Sequence, residues 1–433
     1  MLTILKAFTW YPQWASQTTP FFTQGGYVLG VATTPDGRSY AGGIGLRQSD
    51  GQGGVVNIQD ASAGFVTGKT IHVDERVIVF VPYDGKVYVG TDGGLFRFSP
   101  KPNAPGVDAW ESLNSSSLRN LLSESVAFSP AAPLVVLAGH QDNGIANNAD
   151  SVWNWSGGNE GEKMYFDPND RQGKTVYAWD ASLQAFLKST DGGKSFFGLT
   201  HPGAANFEMS FHPVEKDRFM VNSQTGNNEF TVMETTDGWT DVTKLRNLNP
   251  PIAGLGAPTA IAYAGDRRYV AAAGRLFQGR DAGQGQVVWN NMPLFQGPMI
   301  VSVVADPSNT NTIYVATRAG VFSKADQTDA VPWTVGSGGN LADLTGVGPS
   351  RLPFPINKLT VIGNRGRRAA ALYVSTTGGV FKGKTNAGGT TWVRLGVGLP
   401  DVLVSDLDVN GDTHYVYVSL FGRGLWYLAD YSR

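Results

Sequence analysis

A unit of strand-like segments recurs along the whole chain, and this repetition limits the fold more than any other feature of the sequence. The clearest copy runs from Val301 to Val335, where VSVVADP, IYVATR, VFSKAD and PWTV are separated by short turns. The second segment of each copy carries a large apolar residue, at Tyr40, Tyr88, Val136, Tyr177, Phe219, Tyr269, Tyr314, Tyr373 and Tyr417. Neighbouring members of this series lie about 40 to 60 residues apart, a period typical of β-propeller blades.

The nine copies predict an all-β protein, a single β-propeller built of four-stranded antiparallel blades. We count nine blades, with eight as the alternative if one copy is an insertion. No long segment shows the 3.6-residue period of a helix, so almost no helix is expected. No linker rich in Pro, Ser or charge divides the chain, and residues 1–433 are therefore predicted to form one domain.

The last copy, Val404 to Leu428, contains only three strand-like segments, so its blade lacks an outer strand. A strand left at an open edge exposes unpaired backbone groups that favour aggregation. The apolar N-terminal stretch, residues 1–16, is predicted to supply the missing strand, which would bring the two ends of the chain together.

The turn from Ser189 to Phe197, STDGGKSFF, is the most distinctive local motif. Asp191 can accept backbone N–H groups from the residues that follow it, as in an Asx turn. Gly192 and Gly193 allow positive φ angles there. The motif therefore predicts a tight connection between the third and fourth strands of a blade.

Composition excludes several classes of function. Charged residues make up 16% of the chain and the formal net charge is −2, so there is no electrostatic footprint for nucleic acid. No apolar run reaches the roughly 18 residues of a membrane span. The chain has no Cys, hence no disulfide or thiolate metal site, and no cofactor or metal is predicted.

One segment resembles half of a calcium-binding loop. Asp406, Asp408, Asn410 and Asp412 have the right spacing, but the twelfth position holds Tyr417 instead of Glu. Alternating residues followed by Asn-Gly also describe a strand entering a hairpin turn. We interpret the segment as a strand.

Three motifs together resemble the Asp-box (BNR) repeat β-propeller superfamily. They are the Ser-x-Asp-x-Gly-x-x-aromatic turn at Ser189, Gln141-Asp142-Asn143-Gly144, and Phe421-Gly422-Arg423-Gly424-Leu425-Trp426. That superfamily includes sialidase-like, sortilin-like and xyloglucanase-like propellers. The resemblance implies the propeller fold, while its members serve as hydrolases, peptide receptors or scaffolds.

In a propeller, the turns between the second and third strands surround one mouth of the central channel, so the candidate ligand-binding residues are sought there. Acids and amides cluster on the earlier copies and arginines on the later ones. Such a mouth suits hydroxylated or peptide ligands. The candidates are Asp92, His140, Gln141, Asp142, Asn143, Asp180, Asn222, Gln224, Arg318 and Arg423.

Exposed aromatic rings are a second feature of sugar-binding surfaces. Trp179, which precedes Asp180, and Trp239, in a turn, are the better candidates for exposure, although core packing is the commoner role for each. Trp153 and Trp155 alternate on one face of a strand and are expected to pack between blades.

These observations predict a non-catalytic propeller that binds a glycan or a protein partner, or that serves as a structural module of a cell-surface or virion assembly. An extracellular or virion-surface location is suspected, although no signal peptide is visible and a cytoplasmic location is the alternative. The alternative function is a glycoside hydrolase acting on a polysaccharide, with Asp92 and Asp142 as its carboxylates. Such an enzyme needs two carboxyl groups that flank the scissile bond.

Overall fold

The computed structural model describes residues 4–430, except for 15 single residues or segments. The exceptions are 9–10, 18–29, 44, 50–54, 59–70, 73, 101–109, 115–120, 201–207, 225–228, 293–298, 325–341, 347–350, 364–369 and 387–388.

The chain divides into two compact units, residues 1–121 and residues 122–433. The first unit holds a two-stranded antiparallel sheet and two four-stranded antiparallel sheets. Its strands are β1 Ile4–Phe8, β2 Tyr11–Gln17, β3 Gly30–Thr33, β4 Ser39–Gly42, β5 Arg47–Ser49, β6 Val55–Asn57, β7 Glu75–Val81, β8 Lys86–Thr91, β9 Gly94–Phe98 and β10 Glu111–Ser112. Strands β3–β6 and β7–β10 form the four-stranded sheets, which share a core around Tyr40, Val89 and Phe98.

The second unit contains seven antiparallel sheets, six with four strands and the last with three, which we call ring sheets one to seven in chain order. Ring sheets one to three comprise β11 Ser123–Phe128, β12 Val136–His140, β13 Gly144–Asn147, β14 Asn154–Gly157, β15 Gly161–Phe166, β16 Val176–Asp180, β17 Ala185–Ser189, β18 Phe197–Leu199, β19 Met209–Phe211, β20 Phe219–Gln224, β21 Phe230–Thr235 and β22 Arg246–Asn247. Ring sheets four to seven comprise β23 Ala260–Ala264, β24 Arg267–Ala272, β25 Arg275–Gly283, β26 Gln286–Met292, β27 Ile300–Asp306, β28 Asn309–Thr317, β29 Gly320–Lys324, β30 Ala342–Asp343, β31 Ile356–Ile362, β32 Ala371–Thr376, β33 Gly379–Asn386, β34 Gly389–Arg394, β35 Val404–Val409, β36 Tyr415–Leu420 and β37 Gly424–Ala429.

Each ring sheet packs its apolar face against the next, and a separate buried cluster fills each of these interfaces. The series closes, because a further cluster joins Tyr417 of ring sheet seven to Val126 and Val136 of ring sheet one. The hydroxyl of Tyr417 also donates to the carbonyl of Pro133. The second unit is therefore a closed ring of seven sheets, the arrangement of a β-propeller.

The first strand of each ring sheet is here called the inner strand, and several inner strands are tied to the next one by a side chain that accepts a backbone N–H. Ser125 Oγ accepts from Met164, and Ser302 Oγ accepts from Leu359, at 3.1 and 3.0 Å. Asp406 Oδ2 makes the equivalent bond with Val126 N at 3.1 Å and so closes the ring. Asp406 thus serves as a structural strand residue, which confirms the strand interpretation of this segment.

The predicted fold class is confirmed. All nine apolar anchors lie in the second strands of nine sheets, eight of which have four strands. The described residues contain no α-helix and a single 3-10 turn at Val242–Lys244. Seven sheets already close a ring, which the sequence did not predict. Strand β1 pairs with β2 in the described residues. The closure of the last sheet by residues 1–16 stays a prediction, as does the single domain over residues 1–433.

The turn at Asp191 forms as its sequence predicts. Asp191 Oδ1 accepts the backbone N–H groups of Lys194 and Ser195, each at 3.0 Å, while Oδ2 accepts the Ser195 hydroxyl at 2.6 Å. Gly192 and Gly193 have φ angles of 83° and 86°. Because the carboxylate is taken up by its own turn, Asp191 serves to join β17 to β18.

Candidate functional site

The ends of the second strands and the beginnings of the inner strands lie on one side of the ring, which we call the turn face. Asp180, at the end of β16, accepts the N–H groups of Asn159 and Glu160, which lead into the inner strand β15. Gly144, at the start of β13, likewise donates to the carbonyl of Asn159. The turn face therefore gathers the turns in which ligand-binding residues were predicted.

The predicted residues of ring sheet one lie together in a single turn. His140 is buried, its Nδ1 lies 2.9 Å from Ser123 Oγ, and burial lowers its pKa to about 4, so the ring is neutral at physiological pH. Gln141, Asp142 and Asn143 follow as half-buried residues. Asp142 has a left-handed φ of 55°, and Asn143 Nδ2 donates to the Gln141 carbonyl at 2.9 Å. His140 supports the turn, whereas the next three residues present polar groups at its surface.

Two further predicted residues anchor the loops of the turn face. Asp180 is fully buried, and its Oδ1 also accepts the Ser182 hydroxyl and the Leu183 N–H, each at 2.9 Å. Asn222, fully buried as well, accepts the N–H of Glu208 at 2.8 Å. Buried side chains used in this way hold the backbone of the face rather than contact a ligand.

The remaining predicted residues of this unit lie farther round the ring. Gln224 is half-buried at the end of β20. Arg318 on ring sheet five is exposed and donates to Asn357 Oδ1 at 3.3 Å. Arg423 on ring sheet seven is exposed and donates to its neighbour's carbonyl at 2.8 Å. Of the predicted residues in this unit, the acids thus lie on ring sheets one and two and the arginines on sheets five and seven.

Asp92 belongs to the first unit, where it follows β8. Both its carboxylate oxygens accept from the Arg76 guanidinium, each at 2.7 Å, and Asp92 is buried. This bidentate geometry is typical of a structural ion pair. Because Asp92 and Asp142 belong to different units, their use as a catalytic pair stays a prediction.

Three acids on the turn face were missed by sequence reasoning. Glu124 and Glu162 occupy β-bulges at equivalent positions of the neighbouring inner strands β11 and β15. Burial and repulsion by Glu162 and Glu160 raise the pKa of Glu124 to about 7. Burial also raises the pKa of Glu160 and of Glu162. With Asp142, which contributes to the shift of Glu124, these groups form what we call the acidic mouth.

The channel beneath the acidic mouth contains two ion pairs. Lys163 Nζ lies 3.6 Å from Glu208 Oε1, and about a third of each side chain remains accessible to water, at 36% and 29%. Lys358 Nζ lies 2.6 Å from Asp406 Oδ1. Burial tends to raise the pKa of Asp406, but Lys358 and Lys163 outweigh it and lower that pKa. Burial raises the pKa of Asp408 to about 6.

The structure buries Trp179 and Trp239 and exposes Trp153 and Trp155. Trp179 and Trp239 are buried in the core between ring sheets two and three, which confirms the core role. The expectation that Trp153 and Trp155 pack between blades was wrong. They are 49% and 69% exposed, because they lie in or just before the outermost strand β14, where no further strand of the sheet covers them.

One group of side chains on the second unit has the residue types of a metal site. His212, Glu215 and Asp266 place their ligand atoms within 4.8 Å of one another. However, His212 Nδ1 accepts the Glu215 N–H at 3.0 Å, so a neutral ring carries its proton on Nε2, which faces Asp266 at 3.2 Å. Arg218 also lies 2.9 Å from Glu215. Arg218 thus already supplies a positive charge beside these acids. The His212 nitrogen that faces Asp266 carries a hydrogen and donates it, so it offers no lone pair to a metal.

Comparisons with known proteins show the fold. No protein-family model matches the chain, and no curated protein matches its sequence. The crystal structure of the RRP9 WD40 repeats aligns with a TM-score of 0.50 and 13% identity, over 75% of this chain and 94% of that one. U3-55K aligns with a TM-score of 0.49, 11% identity and coverage of 72% and 91%. YCF48 from Cyanidioschyzon merolae aligns with a TM-score of 0.48, 12% identity and coverage of 73% and 97%.

At such low identity the likeness supports a propeller-like fold and nothing about ligands. Across the described part of the chain, no helix has the length and apolar character needed to traverse a bilayer.

Proposed function

We propose that this protein is a non-catalytic binding module that takes a glycan or a protein partner on the turn face of the seven-sheet ring. The observation that carries this proposal is a group of polar and aromatic side chains on ring sheet one. There, the half-buried polar residues Gln141–Asn143 lie in one turn beside the exposed indole of Trp155. Amides, a carboxylate and a flat aromatic ring are the groups that orient hydroxylated or peptide ligands.

The ring provides a rigid support for such a surface. Buried Asp180 and Asn222 bind the backbone of the inner-strand entries, and His140 packs beneath the turn of ring sheet one. Preorganised groups lose little conformational entropy when a ligand binds. The small negative net charge of −2 and the absence of a basic patch in the sequence agree with a partner other than nucleic acid.

The resemblance of the Ser189–Phe197 turn to Asp-box propellers supports a role outside the cytoplasm. We propose that the module acts at a cell surface or on a virion, where repeated rigid discs present receptors or ligands. Fractionation of the source cells or particles, followed by detection of the chain with an antibody, tests this location. Recovery only from the soluble cytoplasm would contradict it.

A glycoside hydrolase is the second candidate, and one observation favours it. Glu124 has a pKa of about 7 and lies beside other carboxyl groups of the acidic mouth. A carboxylic acid that stays protonated near neutral pH next to an ionised carboxylate is the arrangement of an acid–base pair. In this candidate Glu124, rather than Asp92, would be the acid.

The test compares binding and turnover in the same preparations. The triple change Gln141→Gly, Asp142→Gly and Asn143→Gly should abolish binding to the ligand found on a glycan array or by partner capture. The matched control replaces Asn309 and Asn311 with Gly, at the exposed start of β28 in ring sheet five, away from the turn face. Polysaccharide turnover that disappears in Glu124→Gln would replace the binding-module proposal with the hydrolase.

A further inference from the structure

The indole of Trp155 is held as a platform at the rim of the turn face. Trp155 lies in the outermost strand β14 and is 69% exposed. Its Nε1 atom lies so near Gly144 that a Cβ atom added there would come within 2.8 Å of it. Gly144 is buried with a φ of 70°, a conformation suited to glycine. One edge of the Trp155 indole therefore lies against the Gly144 backbone, with no side chain between them.

The surroundings of this platform are polar. Gln141–Asn143 directly precede Gly144, and Glu160 follows the end of β14 by three residues. The acidic mouth places four carboxyl groups on ring sheets one and two. The Lys163 ammonium near them already faces Glu208 at 3.6 Å. The site therefore offers hydrogen-bonding groups together with a negative potential.

We propose that Trp155 stacks on the face of a neutral hexopyranose unit of a glycan, whose hydroxyl groups bind to the side chains of Gln141–Asn143. This inference rests on the proposed function and names the ligand class. The carbon-bound hydrogens of a pyranose face pack on a flat indole, while amide and carboxylate groups exchange hydrogen bonds with hydroxyls. Exclusion of water from the stacked faces supplies the apolar part of the binding free energy.

The charge of the site decides which sugars fit. A sialic acid, uronic acid or sulfated sugar would bring an anion beside the acidic mouth, and this like-charge contact is unfavourable. A protein partner anchored on Trp155 would need a wide apolar surface around the ring, as interface hot spots have. Here the Trp155 indole is bordered on its inner side by the polar turn Gln141–Asn143, which favours a sugar ligand over a protein partner.

The experiment uses the full chain and two panels of ligands. Neutral polysaccharides (xyloglucan, galactomannan and β-glucan) and anionic ones (polygalacturonate, sulfated and sialylated glycans) are tested by affinity electrophoresis and calorimetric titration. We expect binding to a neutral ligand, with Trp155→Ala weakening it about tenfold or more and Trp155→Phe retaining most of it. Trp153→Ala is the matched control, an exposed tryptophan two residues away, and should bind as the unchanged chain does. Circular dichroism and Tm establish that each variant is folded.

The outcomes separate the ligand class from the broader function. Equal binding by Trp155→Ala, or a preference for anionic glycans, would overturn the inference and leave the binding module standing. A folded chain that binds no glycan but captures a protein through Gln141–Asn143 would also overturn it. Binding that survives every change on the turn face, or turnover of a bound glycan, would instead defeat the proposed function itself.

Discussion

Single carboxyl groups show how the fold gives one functional group different roles. Asp191 has its oxygens occupied by its own turn, and several of these hydrogen bonds lower its pKa despite the opposing effect of burial. Glu124 lies in a β-bulge among other acids, and its pKa rises to about 7. A bulge redirects a side chain out of the regular alternation of a strand. The difference between the two acids is therefore a matter of backbone geometry.

The raised pKa of Glu124 predicts a specific pH dependence of stability. Its value rises from 4.5 to about 7 on folding, so the folded state holds the proton more tightly than the unfolded state. The free energy of unfolding should consequently fall as the pH rises from 4.5 towards 7. Glu124→Gln removes this titration, and the decline measured by denaturant unfolding across that interval should become shallower. Glu160, Glu162 and Asp142 reinforce the shift, and Lys163 opposes it.

A parallel decline in the variant and the unchanged chain would contradict this assignment. It would place the titration on another group, such as Asp408, whose pKa is raised by burial to about 6.

The turn at Asp191 makes a prediction of local stability. Asp191→Ala removes the acceptor of two backbone N–H groups and two hydroxyls, and should lower the free energy of unfolding by about 1–3 kcal/mol. The matched control is Asp150→Ala, which removes an exposed partner 2.7 Å from Lys194 Nζ. That change should cost at most about 1 kcal/mol, because exposed ion pairs contribute little. Equal losses in the two variants, measured by urea unfolding, would contradict the structural role of the turn.

Between neighbouring elements, a buried polar network joins ring sheets three and four. Arg268 is 0% exposed, and its NH2 and Nε atoms donate to Glu234 Oε1 at 2.7 and 2.9 Å. Tyr263 and Arg246 also donate to Glu234. Burial tends to raise the pKa of Glu234, but the Tyr263 hydroxyl and the two guanidinium groups outweigh it and lower that pKa.

Glu234→Gln should destabilise the chain by about 3–5 kcal/mol, because it leaves the buried Arg268 charge with only the partly exposed Asp281 carboxylate as an ionic partner. Since the pKa of Glu234 is lowered on folding, its contribution should be present above its unfolded value of 4.5 and be lost as the pH falls through the folded pKa. Glu215→Gln is the control, because its partner Arg218 also contacts other acids and the Glu215 side chain is 54% exposed. Similar Tm values for both variants would show that the buried network does not stabilise the chain more than the exposed ion pair does.

The prediction that residues 1–16 supply a missing strand concerns the edge of ring sheet seven. Strand β37 ends a three-stranded sheet, and an apolar groove beside it is lined by Val397, Trp426 and Leu428 among others. If residues 1–16 supply the fourth strand, their deletion should lower Tm and increase the binding of a hydrophobic dye to this groove. Unchanged Tm and dye binding in the deletion variant would show that these residues do not cover the edge.

For the whole molecule, the decisive feature is that seven sheets already close on themselves within residues 122–433. Each interface has its own buried cluster, and the cluster around Tyr417 joins the last sheet to the first. A closed ring buries both faces of every sheet and has no open interface that would require additional sheets.

We therefore expect the fragment 122–433, expressed alone, to be all-β by circular dichroism and to unfold cooperatively. The fragment 122–400, which keeps β34 but lacks ring sheet seven, is the control and should not fold stably, because both ends of its ring are open. Failure of the longer fragment to fold would instead support one domain over residues 1–433.

The amino-acid sequence by itself determined the class of fold, the second strands and the turn chemistry. These depend on local periodicity and on residues such as Asp191, Gly192 and Gly193, whose bonds are formed within a few positions of the chain. It also placed Gln141–Asn143 and Asp180 in the correct turns. Tertiary structure alone decided that Asp180 is buried and that Trp155 is exposed, since burial depends on which strand is outermost in its sheet.

Only the tertiary structure could also show that Glu124 and Glu162 face one mouth, and that Tyr417 closes a ring of seven. Both depend on contacts between segments that are far apart in sequence, and a β-bulge shifts a side chain without leaving a clear pattern in the residues around it. The physical reason is the same in each case: hydrogen bonds within a turn are local, whereas packing between sheets is not.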